Sequence, residues 1–190
     1  TLGRALDELQ QAGVTEMFAT IAGEAVREYG IEIKQVHVDS STLSVHGEYD
    51  SEYAQGMTEK FGTCVITQGY SKDHRPDLKQ VVVNLITSQA SALPLWLEAL
   101  DGNSNDTTTF EKTVTMYCKQ LQEGAEMPLF VMDSAAYSAE NLGTWQTIPW
   151  LTRVPERLTA AKQLILAVPT AQMTDVGNGY HICAVGTWYA

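Results

Sequence analysis

The chain has 190 residues, 44% of them hydrophobic and 18% charged, enough for one domain with a real core and a piece of a second. Twelve Lys and Arg face 23 Asp and Glu, and the formal net charge of −11 argues against a generic nucleic-acid binder while leaving room for a metal-dependent nuclease that gathers acids at its site. No run approaches the ~18 apolar residues of a membrane span, and the first residues read as helix, not as a signal peptide. The three cysteines, Cys64, Cys118 and Cys183, have no zinc or C-x-x-C spacing and read as simple core residues in a reducing cytosol.

Apolar groups at Leu2, Ala5, Leu6 and Leu9 predict a helix over residues 2–11, broken by Gly13. A second helix follows with Val14, Met17, Phe18, Ile21, Ala25, Val26 and Tyr29 on one face and Gly30 as its stop. From 34 to 49 the period changes to two, and Val36, Val38, Leu43 and Val45 predict one long bent strand or a tight hairpin, with Asp39 inside it. Residues 50–78 are polar and irregular, with a short strand candidate at 64–67. Strands resume at 80–88 and 93–100, and residues 101–106 turn the chain. A helix is expected over 109–122, with Thr108 and Glu111 at capping-box spacing, Phe110, Val114, Tyr117 and Leu121 as its stripe, and Gly124 as its end. Residues 127–132 form a buried-type strand leading to Asp133. Ser138 caps a helix carrying Leu142 and Trp145, residues 150–154 form a strand, and Pro155 opens a helix to about 166. The last stretch, 178–190, reads as a strand, and its break in mid-strand suggests that the natural polypeptide continues. Three strands followed by alternating helices and strands indicate an α/β sheet with mixed strand directions.

Two aspartates carry the chemistry. Asp39 and Asp133 each come late in a short apolar run and are each followed by Ser. A carboxylate on a buried strand is costly unless a metal or hydrogen bonds hold it, so the two strands suggest one shared divalent-metal site at the sheet's margin, the layout of phosphoryl transfer. The bland alternative is two acids that cap local amides. Lys72, Arg75 and Lys79 are candidate phosphate contacts, although the interleaved Asp73 and Asp77 fit a self-neutralising loop equally well. Arg153 is a candidate for DNA or the acids, with a structural ion pair as its default. Asp106 reads as a helix cap, and His37, His46 and His74 lack a ligand spacing.

Five blocks in order resemble insertion-sequence transposases of the DDE type: Val36-His37-Val38-Asp39-Ser40-Ser41-Thr42-Leu43-Ser44-Val45-His46-Gly47; Gly69-Tyr70-Ser71-Lys72-Asp73-His74-Arg75-Pro76-Asp77-Leu78-Lys79-Gln80; Leu93-Pro94-Leu95-Trp96 with Glu98-Ala99-Leu100-Asp101-Gly102-Asn103; Asp133-Ser134-Ala135-Ala136-Tyr137-Ser138-Ala139-Glu140-Asn141-Leu142; and Trp150-Leu151-Thr152-Arg153-Val154-Pro155. The resemblance spans roughly residues 14–166. It implies a ribonuclease-H-like mixed sheet flanked by helices, with an N-terminal helical hairpin. The implied domains are a helical lead-in (1–30), an incomplete catalytic core (31–168) and the start of an inserted β-rich segment (169–190). It implies Asp39 and Asp133 as catalytic and metal-binding acids on the first and fourth strands. Two Mg²⁺ or Mn²⁺ ions would be held with a third acid from a downstream Tyr-Arg-Glu signature, and no Tyr-x-x-Arg-x-x-x-Glu occurs in these residues. In such enzymes water frees a 3′-OH at the transposon end, which then attacks target DNA. The implied partners are transposon-end and target DNA and a second copy in the complete enzyme, with no membrane, in a prokaryotic cytoplasm at the nucleoid. A truncated, catalytically dead remnant and a host nuclease of the same fold remain open alternatives.

Overall fold

The computed structural model describes residues 1–49, 56, 62–71, 74–121 and 126–186; Lys72 and Gly124, singled out above, lie outside the described residues. The chain divides into two compact units, Thr1–Arg153 and Val154–Ala190.

The first unit opens with α1 (Leu2–Ala12) and α2 (Val14–Glu28). Gly13 joins them at φ 83 and Gly30 follows α2 at φ 60, left-handed values that glycine adopts without a Cβ penalty. The alternating segments form β1 (Gln35–Val45), β2 (Lys79–Ser88), β3 (Pro94–Leu100), β4 (Leu129–Met132) and β5 (Trp150–Thr152). Residues 34–49 therefore hold one strand and no hairpin, and the candidate at 64–67 is reduced to a single bridge, Thr67 to Gln80. The sheet order is β3-β2-β1-β4-β5. β1 runs antiparallel to β2, and β2 to β3, whereas β4 is parallel to β1 and β5 to β4. This is the ribonuclease-H-like mixed sheet expected from the sequence, with the N-terminal helices in place.

α3 (Asp106–Gln120) starts earlier than its sequence cap suggested. Thr108 sits inside the first turn, where its hydroxyl donates to the Asn105 carbonyl at 3.1 Å. A short 3-10 turn (Ser134–Ala136) and α4 (Ala139–Thr144) follow β4, and Ser138 caps α4 as expected, its Oγ accepting from Asn141 N at 3.1 Å. The core lies between one sheet face and the helices. Val36, Val38, Ile86, Trp96, Phe130 and Met132 from the sheet meet Phe110, Val114 and Tyr117 of α3, with Ala19 and Val26 of α2 packed against them. Tyr117 stands edge-on to both Trp96 and Phe130, with ring centroids 6.3 and 6.1 Å apart.

One joint ties the long β1–β2 connection to the sheet. Gln80 Nε2 donates to the carbonyls of Tyr70 (3.1 Å) and Gly102 (2.7 Å), Asp101 Oδ1 accepts from Val65 N (2.7 Å), and Gly102 N donates to Val65 O (2.9 Å). The backbones pack so closely that a Cβ on Gly69 would lie 2.0 Å from Gly102 O, and one on Gly102 2.0 Å from Gln80 O.

The second unit holds α5 (Thr159–Ala167), a 3-10 turn (Thr170–Gln172) and the hairpin β6 (Thr174–Gly177) with β7 (Tyr180–Ile182). Pro155 does not open α5; it accepts Leu158 N in a turn, and the helix begins at Thr159. In this hairpin Asn178 (φ 53) and Gly179 (φ 80) supply the two left-handed positions of a tight turn. No helix among the described residues is long and apolar enough to cross a membrane.

The cysteines depart from the core reading: Cys64 and Cys118 are half-buried and Cys183 is exposed, all as free thiols. Burial pushes the Cys118 thiol up to about 11. A thiol reagent at pH 8 is therefore expected to label Cys183 first, with Cys118 labelled quickly only near pH 11 or in denaturant; equal rates in the folded chain at pH 8 would contradict this. Gly102→Ala is expected to cost about 1–3 kcal/mol in denaturant unfolding through overpacking. Gly143→Ala, in open space within α4, is expected to gain up to about 1 kcal/mol.

Candidate active site

The parallel register of β1 and β4 sets the site. Val36 pairs with Phe130 and Val38 with Met132, and on the other side of β4 Met132 pairs with Thr152 of β5. One position further on each strand stand Asp39, Asp133 and Arg153. Side chains alternate along strands and neighbouring strands lie ~4.8 Å apart. Asp39 thus lies on the face of β1 opposite Val38, while Asp133 and Arg153 stand just past the last paired residues of β4 and β5.

Their local chemistry differs. Asp39 is exposed, its Oδ1 accepting from Ser40 N at 2.8 Å. It lies in mid-strand, because β1 continues to Val45 after its pairing with β4 has ended. Asp133 is also exposed, and its Oδ1 accepts from Ala135 N at 2.9 Å as the cap of the 3-10 turn. Neither acid is therefore a buried carboxylate, contrary to the sequence expectation; each keeps oxygen lone pairs toward solvent. Thr152 Oγ1 donates to the Asp133 carbonyl and fastens the end of β5 to that of β4. Arg153 is exposed and makes no ion pair with a described residue.

Beside Asp39 a polar row crosses the sheet on the core side. Ser40 pairs with Asn84, and Asn84 with Glu98. Asn84 Nδ2 donates to Thr113 Oγ1 of α3 (2.9 Å), and that hydroxyl donates to Glu98 Oε2 (2.8 Å). Ser40, Asn84 and Thr113 are buried, and Asn84 Oδ1 has no hydrogen-bond partner. Sequence reasoning missed this network and Thr152. Polar residues at inward strand positions, Ser40, Asn84 and Glu98, were its only signal.

The basic candidates are dispersed. Arg75 forms a bidentate pair with Asp77 (2.9 and 2.7 Å) in an exposed turn where Ser71 Oγ accepts Arg75 N. Lys79 Nζ donates to the Tyr49 carbonyl. His37 Nε2 meets Gln89 Oε1, and His46 and His74 are exposed elsewhere. Among the described residues no group of three or more His, Cys, Asp or Glu side chains comes together as a metal cage. Exposed carboxylates such as Asp39 and Asp133 are the donor type that suits a hard cation that retains several waters, since Mg²⁺ is commonly held by one or two carboxylates.

No protein-family model matches the chain, and neither does any curated protein. Solved structures do resemble it. The Mos1 transposase paired-end complex with left transposon end is 11% identical, at TM-score 0.40, over 82% of this chain and 44% of that one. The piggyBac transposase synaptic complex with hairpin DNA is 9% identical, at TM-score 0.49, over 77% and 29%. The catalytic domain of Mos1 mariner transposase is 11% identical, at TM-score 0.40, over 83% and 72%. The chain spans less than half the length of the first two.

The hydrogen bond from Arg75 draws the Asp77 carboxyl down to about 2. The Arg75–Asp77 pair is therefore complete above the ordinary value of 3.8 and is lost as pH falls through about 2. Carboxyl NMR titration is expected to show this midpoint, and Arg75→Ala to return it toward 3.8; an unchanged midpoint in the variant would refute the pairing. Thr113→Val strands Asn84 and Glu98 together and is expected to cost about 1–3 kcal/mol of stability in denaturant unfolding.

Proposed function

We propose that the chain is the catalytic-core part of a DDE-type insertion-sequence transposase, which cleaves DNA at transposon ends and transfers the freed strand into target DNA. The observation that supports this reading is the β1–β4 register, whose last pair, Val38 with Met132, immediately precedes Asp39 and Asp133 on a ribonuclease-H-like sheet. The five sequence blocks support it.

In this reading Asp39 and Asp133 hold divalent metal, Mg²⁺ or Mn²⁺, two ions in the complete enzyme. When bound, the metal supplies charge stabilisation to an in-line displacement at phosphorus. The chain's own residues orient the groups around it. The Ser40 and Ala135 amides each occupy one lone pair of an aspartate and fix its carboxylate plane. Thr152 holds the backbone of Asp133. Arg153, which follows β5 as Asp133 follows β4, offers a guanidinium to a phosphate oxygen. Lys72, Arg75 and Lys79 are the further candidate DNA contacts, Arg75 after exchanging Asp77 for phosphate. The third carboxylate comes from a Tyr-Arg-Glu segment outside these residues, beyond an inserted β-rich segment that starts near residue 169. The partners are transposon-end and target DNA and a second copy of the enzyme, working in a prokaryotic cytoplasm at the nucleoid.

The 190-residue chain is expected to be nearly inactive on transposon-end DNA in Mg²⁺ or Mn²⁺ and to bind DNA weakly, since its net charge of −11 repels phosphates. A longer chain carrying the downstream segment is expected to cleave, and Asp39→Asn or Asp133→Asn to abolish cleavage. Cleavage by the 190-residue chain that survives Asp39→Asn would overturn both the site and the need for a third acid. Inactivity of the longer chain would favour the dead-remnant reading.

A further inference from the structure

A cavity of about 540 Å³ opens in the first unit between α2, the start of β1, β3 and α3, a volume within the range of small-molecule sites. Leu95 and Tyr117 form its floor, and Ala19, Val26 and Ile33 its walls, all of them in the hydrophobic core or packed against it. Gly23, in the interior of α2, also lines it, and a Cβ built there would meet nothing within 4 Å. Glycine inside a helix is unfavourable relative to alanine. This position therefore gives up stability that a larger side chain would supply, and leaves the space open.

The floor carries one polar group. Tyr117 is 5% exposed, and its phenol makes no hydrogen bond among the described residues. A buried hydroxyl without a partner is costly. Its oxygen is not sealed among packed atoms as the Nε1 atoms of Trp96 and Trp145 are, and it opens to the cavity that Tyr117 lines. Edge-on contacts with Trp96 and Phe130 hold the ring, so the hydroxyl is positioned before any ligand arrives. Burial pushes the phenol up to about 12, which keeps it a hydrogen-bond donor at neutral pH.

The mouth selects against charge. Arg27 pairs there with Glu24 and Lys34 with Glu32, and Glu126 adds a third carboxylate. Both cations are thus already paired, and none is free for an anionic ligand. The floor and walls named above hold no carboxylate, so a cation there would lose its water without gaining a partner.

We infer that this cavity binds a small uncharged molecule with an apolar body and one carbonyl-type acceptor, the body against Leu95, Val26 and Ile33 and the acceptor on the Tyr117 hydroxyl. The cavity lies where the chain enters β1 and β4, at Lys34 and Pro128, whereas Asp39 and Asp133 follow the paired residues of those strands. The inference therefore does not rest on the transposase reading.

The test titrates the 190-residue chain with 6-propionyl-2-dimethylaminonaphthalene, an uncharged fluorophore with a naphthalene body and one ketone. Saturable one-to-one binding with blue-shifted emission is expected. Tyr117→Phe keeps the ring and removes the donor, and is expected to weaken binding about fivefold without lowering the thermal unfolding midpoint. Gly23→Leu fills the open space and is expected to weaken binding by about tenfold or more in a chain at least as stable as the parent. The analogue 2-dimethylaminonaphthalene, which lacks the ketone, is expected to bind the parent and Tyr117→Phe equally. Absence of binding, or more than one fluorophore per chain, overturns the inference. So does either variant binding the ketone as tightly as the parent, or an analogue that loses as much affinity as the ketone in Tyr117→Phe.

Discussion

The proposed site hangs on the short parallel pairing of β1 with β4. Only four positions pair, Gln35 to Val38 against Leu129 to Met132, and the pairing stops where the two aspartates begin. A slip of one residue would turn Asp133 to the core and Met132 to solvent, because side-chain direction alternates along a strand. The slip is opposed by burial of Val36, Val38, Phe130 and Met132, each at most 6% exposed. Hydrophobic packing on one face thereby sets the electrostatics of the other.

The second constraint is polar. Hydrogen bonds joining β2, α3 and β3 pass through Asn84, Thr113 and Glu98, and Asn84 pairs across the sheet with Ser40, the residue that follows Asp39. Such a network is costly where a buried member is unsatisfied, as Asn84 Oδ1 is, yet its two hydrogen bonds tie α3 to β2 and β3. The Gln80 joint does the same for the arm beyond the acids. It also gives a physical account of two of the sequence blocks: Gly69 and Gln80 meet Gly102, with no space for a Cβ at either glycine.

Much of this was legible in the sequence. Period two over 34–49 and the apolar runs that followed located the five strands, Ser138 declared its cap, and the order of strands and helices gave a mixed sheet. The errors have physical causes. Pro155 suits a first helical turn, yet here it begins a turn that delays α5 to Thr159. Thr108 and Glu111 have capping spacing, but the helix reaches back to Asp106. The acids were expected on buried strands because apolar residues precede them; the strand end at Met132 was legible, but the exposure of both carboxylates depends on what covers the sheet around them, which no local pattern encodes. The Ser40–Asn84–Glu98 row depends on pairing between strands far apart in the chain, which no local pattern encodes.

The central claim is that Asp39 and Asp133 act together on one cation. Calorimetric Mn²⁺ titration of the 190-residue chain, of Asp39→Asn, of Asp133→Asn and of the double variant tests it without any DNA. Shared ligation predicts that each single change weakens binding by about tenfold or more, and that the double change adds little beyond either single one. Binding that is untouched by either change, or losses that simply add, would contradict a common site.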